Sequence, residues 1–84
     1  MAELHILYFA WLRERVGRAE EELALPAGVA TVADLRDHLL ARGPAYAALA
    51  QPTVRFAVNQ AMASPTTPVA AGDEVAFFPP VTGG

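Results

Sequence analysis

Two spacings of apolar positions alternate along this chain, one of two residues and one of three to four, and they divide it into strands and helices. Leu4 to Ala10 (LHILYFA) is an almost continuous apolar run and predicts a central strand. Its two faces are Leu4, Ile6, Tyr8 and His5, Leu7, Phe9. AWLRERVG then mixes charge with apolar residues up to Gly17, which suits one or two helical turns. The acidic stretch Glu20 to Pro26 (EEELALP) alternates weakly and stops on a proline, as a short outer strand does. Its three glutamates read as an exposed strand start.

The clearest helical pattern follows. Thr31 stands as N-cap, with Asp34 three residues on where a capping-box acid belongs. Val32, Leu35 and Leu39 share one stripe with Leu40 beside it, and Gly43-Pro44 ends the pattern. Residues 45–50 suit a short second helix. TVRFAVN alternates cleanly, with Val54, Phe56 and Val58 inward and Arg55, Ala57 and Asn59 outward. QAMASP reads as a turn or a very short strand, and PVAAGD as a loop into a last strand from Glu74 to Phe78.

Strand, strand, helix, strand, strand is an α+β order in which one main helix covers one face of a mixed sheet. The first and last strands are both apolar, so they are expected side by side at the sheet centre. That arrangement is the β-grasp, or ubiquitin-like, fold. A globular domain is expected over residues 1–78, followed by an extended tail over 79–84.

Composition narrows the chemistry. The chain has 84 residues, 54% of them hydrophobic, and a net charge of −3. Such a length makes one small domain, which needs that apolar content for its core. All basic residues are arginines; the acidic balance argues against nucleic acid as a partner. With no cysteine there is no disulfide framework and no thiol nucleophile. His5 and His38 are too few and too separated for a metal motif, so no metal is expected. Neither a secretory leader nor a membrane span is present in the pattern, and a cytoplasmic location is expected.

Asp34 and His38 stand four apart on the predicted helix, a spacing at which side chains meet. A carboxylate–histidine pair can orient a general base, but nothing supplies a nucleophile or metal beside it. A solvated helix face is the simpler reading. No ordinary enzyme active site is found.

The face of the sheet turned away from the helix is more informative. Leu7, Phe9, Ala76 and Phe78 should lie there, where a one-sided sheet normally shows polar residues. Either this patch is a docking surface, or the Trp11 segment folds over and covers it. The stretch after Phe78 points to a projecting end. Pro79 and Pro80 stop the ladder and stiffen the exit, and Val81 and Thr82 favour extended backbone. Gly83 and Gly84 can thread a narrow channel and leave the terminal carboxyl open to attack. Six residues at roughly 3.3 Å each reach about 20 Å. The reactive group is expected to be the Gly84 carboxylate itself.

GDEVAFFPPVTGG (Gly72 to Gly84) resembles the ending of the molybdopterin synthase small-subunit family of sulfur carriers. LYFAWLRERVG and AVNQ (Ala57 to Gln60) are similar to that family's opening strand and third-strand exit. The resemblance implies a partner of the ubiquitin-activating type that uses ATP to adenylate Gly84. Sulfur from a separate donor system would then replace AMP and leave a thiocarboxylate. The tail would enter the large synthase subunit and pass sulfur to cyclic pyranopterin monophosphate, building the dithiolene of molybdopterin. Family members form a heterotetramer of two small and two large subunits, in which the small subunit donates sulfur without being the catalyst. No bound cofactor is implied. Phe9, Arg13, Met62 and Phe78 occupy positions of partner contact in the family.

Other readings stay open on the residues. A related carrier would serve thiamine thiazole synthesis or transfer-RNA thiolation, although FFPP before the glycines is unlike the thiazole carriers. A conjugated modifier would join Gly84 to a lysine of another protein. A plain interaction module would tolerate residues added at its C-terminus.

Overall fold

The computed structural model describes residues 3–79. Its strands are β1 (Leu4–Tyr8), β2 (Glu20–Leu23), β3 (Arg55–Val58), β4 (Ala61–Ala63) and β5 (Glu74–Phe78). Its helices are α1 (Trp11–Val16) and α2 (Val32–Leu40), with a 3₁₀ segment at Pro44–Ala50. The strands form one mixed sheet of order β2-β1-β5-β3-β4. β1 and β5 pair in parallel at its centre, as expected from their two apolar runs, and every other pairing is antiparallel.

One face of this sheet carries the core. Leu4, Ile6, Tyr8, Val75 and Phe77 are all buried on it, joined by Val32, Leu35 and Leu39 from α2. The Phe77 ring stacks with Tyr8 at 6.0 Å between centroids and meets Phe56 edge-on at 5.6 Å. Each such side chain contributes roughly 1.5–3 kcal/mol on burial. α2 starts as its sequence dictates: Thr31 Oγ1 accepts from Asp34 N–H, and the Asp34 carboxylate accepts from the Thr31 and Ala30 N–H groups. Two further N–H groups of that first turn, on Val32 and Ala33, donate to the carbonyls of Thr67 and Pro65. The loop before β5 is thereby tied across the helix start.

The strand pattern needs two corrections. β2 ends at Leu23 instead of reaching Pro26. Of the two readings of QAMASP the very short strand holds, as β4, because Asn59 and Gln60 take φ of 51° and 69° and return the chain onto β3 in a two-residue turn. Asn59 also accepts from Glu74 N–H and donates to Asp73 through its side chain, which holds the hairpin against β5.

The second correction is at the end of β1. The apolar run continues to Ala10, but pairing stops near Phe9 because Ala10 turns the chain with φ 56° and ψ −136°. That region is costly for any residue with a Cβ, about 1–3 kcal/mol. Ala10→Gly is therefore expected to stabilise the domain by about 1 kcal/mol, after the extra unfolded-state freedom of glycine is deducted. A thermal melt reads this as a rise of roughly 4–8 °C for a domain of this size. An unchanged or lower melting temperature would show that the turn is not strained.

Candidate functional site

Strand alternation places three rows of side chains on the face opposite the core. Cross-strand register sets Glu22, His5 and Glu74 in one end row. Glu20, Leu7, Ala76, Ala57 and Met62 form the middle row. Phe78 and Arg55 are opposite one another in the last row, where the Phe9 N–H donates to the Phe77 carbonyl and brings Phe9 beside Phe78. Phe9 is 48% exposed and Met62 70%, and these are the exposed large hydrophobic residues among the described ones. Phe78 and Leu7 are half-buried, and Ala76 is shielded between its taller neighbours.

The apolar part of this face lies at the end where β5 leaves the sheet. Pro79 follows directly and is half-buried. Pro80, Val81, Thr82, Gly83 and Gly84 lie outside the described residues. Of the four expected contact residues, Phe9, Met62 and Phe78 share the face. Arg13 does not: it is exposed on α1, one turn beyond Phe9. Trp11 does not cover the patch either. It packs against the core cluster, with the Arg15 guanidinium 5.7 Å from its ring centroid.

Charge on the face is confined to its edges. His5 and Glu20 pair through Nε2 and Oε1. Asp34 is engaged with backbone N–H groups and forms no hydrogen bond to His38, so the acid–histidine spacing on α2 makes no dyad. The Ala30 N–H first, and Thr31 after burial is overcome, hold the Asp34 carboxyl below its ordinary range.

The charged cluster that pattern reading missed is on the core side. Glu21 alternates inward with Leu23, and its side chain is only 6% exposed, against the expectation of an exposed glutamate. It accepts from Tyr8 Oη at 2.8 Å, Tyr46 Oη at 3.2 Å, Arg42 at 2.8 Å and Arg18 at 3.4 Å. Burial alone would raise this carboxyl, but the hydrogen bonds from Arg42 and Tyr8 outweigh it and hold it below its ordinary value. Burial, then the bond to Glu21, drives the Tyr8 hydroxyl far above the usual tyrosine range, so it remains a donor. The cluster fastens edge strand β2 to the 3₁₀ segment. It faces the core and not the apolar patch.

Alternation separates two adjacent phenylalanines by role. Phe77 is fully buried, and Phe77→Ala is expected to cost about 3–5 kcal/mol. Phe78→Ala, on the half-buried face, should cost no more than about half of that. Denaturant melts of the two variants check this; the reverse order would invert the faces.

The chain matches the ThiS family over residues 6–84. It is 46% identical over 82 residues to the molybdopterin synthase sulfur carrier subunit of Escherichia coli (strain K12), covering 96% of this chain and 99% of that one. Identity to the subunit of the same name from Mycobacterium tuberculosis is 36% over 84 residues, with 100% of both chains covered. Among solved structures, small archaeal modifier protein 1 of H. volcanii superposes with a TM-score of 0.78 at 31% identity, over 96% of this chain and 100% of that one. A putative molybdopterin converting factor, subunit 1, from Pyrococcus furiosus gives 0.77 at 31% identity, over 96% and 100%.

Proposed function

Since this chain belongs to the ThiS family, with molybdopterin synthase sulfur carrier subunits among its relatives, we propose that it carries sulfur on the carboxyl of Gly84 for molybdopterin synthesis. The supporting observation is the apolar face of Phe9, Leu7, Phe78 and Met62, which adjoins Pro79, where the tail begins. A partner seated there receives the last residues of the chain directly. The domain through Phe78 docks, and residues 79–84 deliver.

The chemistry explains the division of labour. A free carboxylate is a poor electrophile, so an adenylyltransferase of the ubiquitin-activating type joins it to AMP from ATP, releasing pyrophosphate. A sulfur nucleophile from a donor system attacks the acyl carbon, AMP leaves, and a thiocarboxylate remains. The large subunit of molybdopterin synthase then takes the tail and passes this sulfur to cyclic pyranopterin monophosphate. Two sulfurs complete the dithiolene, which fits a heterotetramer with two carriers. The chain itself holds no cofactor in this scheme, and its reaction partners are cytoplasmic. Among the described residues, no helix is long and apolar enough to cross a membrane.

The intact mass of protein isolated from its native cell tests the proposal. A fraction should gain the mass of one oxygen replaced by sulfur, located in the C-terminal peptide. Only unmodified carboxylate, in cells making molybdenum cofactor, overturns it. Phe78→Ala should also bind the large subunit poorly while keeping its fold. A second reading, conjugation of Gly84 to a lysine of another protein, is favoured by the structural likeness to small archaeal modifier protein 1. A Gly84–lysine isopeptide in a digest of the native proteome would be its signature.

A further inference from the structure

We infer that the outer sheet face also pairs with itself, joining two copies of this chain in a weak isologous dimer that masks the face until a partner takes it. The last clause rests on the docking role proposed above; the dimer does not. The observation behind it is how charge is distributed about the middle row. His5 is satisfied by Glu20 within the chain. Glu22 and Glu74 at one end, and Arg55 at the other, have no ion-pair partner among the described residues. The chain thus presents an unpaired cation and unpaired carboxylates on opposite sides of a middle row that is apolar from Leu7 to Met62.

A twofold axis lying along that row, across the strands, makes this pattern self-complementary. In an isologous contact any pairing of two different residues across the interface occurs twice. The axis sets Leu7, Ala76, Ala57 and Met62 of one copy on the same row of the other, with the His5-paired Glu20 of each copy meeting its counterpart at the sheet edge, and reverses the ends. The Phe78–Arg55 row of one copy then lies over the His5–Glu74 row of the second. Glu74 sits across from Asn59, whose N–H donates to the Glu74 carbonyl, so it is four residues along β3 from Arg55, about 13 Å. Each end row is therefore about 7 Å from the axis, and facing rows meet in register. Phe78 of one copy stands over Glu74 of the other and Arg55 over Asn59, so each Arg55 reaches Glu74 of the other copy one strand, about 4.8 Å, to the side. Phe9 and Met62, exposed in the single chain, are covered in the same step.

The contact is small. Five strands at about 4.8 Å by rows spanning about 13 Å fall well short of the roughly 800 Å² per partner of a stable complex. A dissociation constant on the order of 100 µM is expected, weak enough for a larger interface to displace it.

Sedimentation equilibrium on the full chain, at low salt and from about 10 µM to about 1 mM, tests the inference. The wild-type chain should pass from monomer to dimer across that range. Arg55→Glu alone and Glu74→Arg alone should each stay monomeric, because each homodimer sets like charges together twice. An equimolar mixture of the two should dimerise again, since both cross pairs return in the mixed dimer. Thermal melts near the wild-type value will show that the variants are folded. A wild-type chain that is monomeric at the highest concentration overturns the inference. So does a mixture no more associated than its components. No large subunit or sulfur is present in the experiment, so its failure leaves the Gly84 proposal to the mass measurement alone.

Discussion

Glu21→Ala is expected to destabilise the domain by about 3 kcal/mol, more than any other exchange of a charged residue in this chain. The Tyr8 hydroxyl belongs to a residue that is 1% exposed and would lose its acceptor. An unmet buried donor costs about 1–3 kcal/mol by itself. Tyr46 loses its acceptor as well, whereas the Arg42 and Arg18 side chains are 35% and 49% exposed and can turn to water. The arginines therefore add less than the tyrosines. Removing the side chain also opens a void between β2 and the 3₁₀ segment. Denaturant melts measure the loss; a change under about 0.5 kcal/mol, usual for a surface site, would refute the clamp.

The same residue sets a pH dependence. Its carboxyl is held below the ordinary value of 4.5, so the stability it supplies is complete above that pH. It is lost as pH falls through the lower folded-state value. Asp34 acts in the same direction from an exposed site. Subtracting a Glu21→Gln titration from the wild-type one isolates the Glu21 share, because Asp34 is common to both. The difference should shrink as pH falls below 4.5 and be flat above it.

One residue added after Gly84 should abolish sulfur transfer and leave folding almost unchanged, within about 0.5 kcal/mol. Reacting atoms must approach to about 3–3.5 Å, and one more residue moves the carboxyl by roughly that distance again. A terminal Cβ would also narrow access to the acyl carbon. Deleting Gly84 should fail for the opposite reason, by leaving the carboxyl short of the partner's site. Thermal melts paired with a synthase assay on the extended and shortened chains give both readings. Full activity from an intact extended chain would exclude Gly84 as the sulfur-bearing group.

The elements that alternation or capping specifies locally are legible in the sequence. β5 runs over Glu74–Phe78 as its pattern indicates, and α2 begins at the Thr31–Asp34 box. The same alternation points Phe9 and Phe78 outward, and both lie on the outer face. Elements that end for reasons outside their own composition were harder. β1 stops because Ala10 adopts a positive φ, and an alanine in an apolar run carries no sign of that. β4 is only Ala61–Ala63, too short for alternation to establish, and depends on the Asn59–Gln60 turn and on β3 beside it.

By itself, the sequence determined the two-sided division of the central strands and the position of the main helix. These are properties of neighbouring residues and of side chains present or absent. Tertiary structure alone decided the role of Glu21. Its partners Tyr8, Arg42 and Tyr46 lie 13, 21 and 25 residues away, and in the sequence it is one of three identical glutamates. Pairing with β1 turns the middle one inward, toward donors that only the folded chain assembles, because a strand's alternation fixes two faces but only its neighbours choose which is buried.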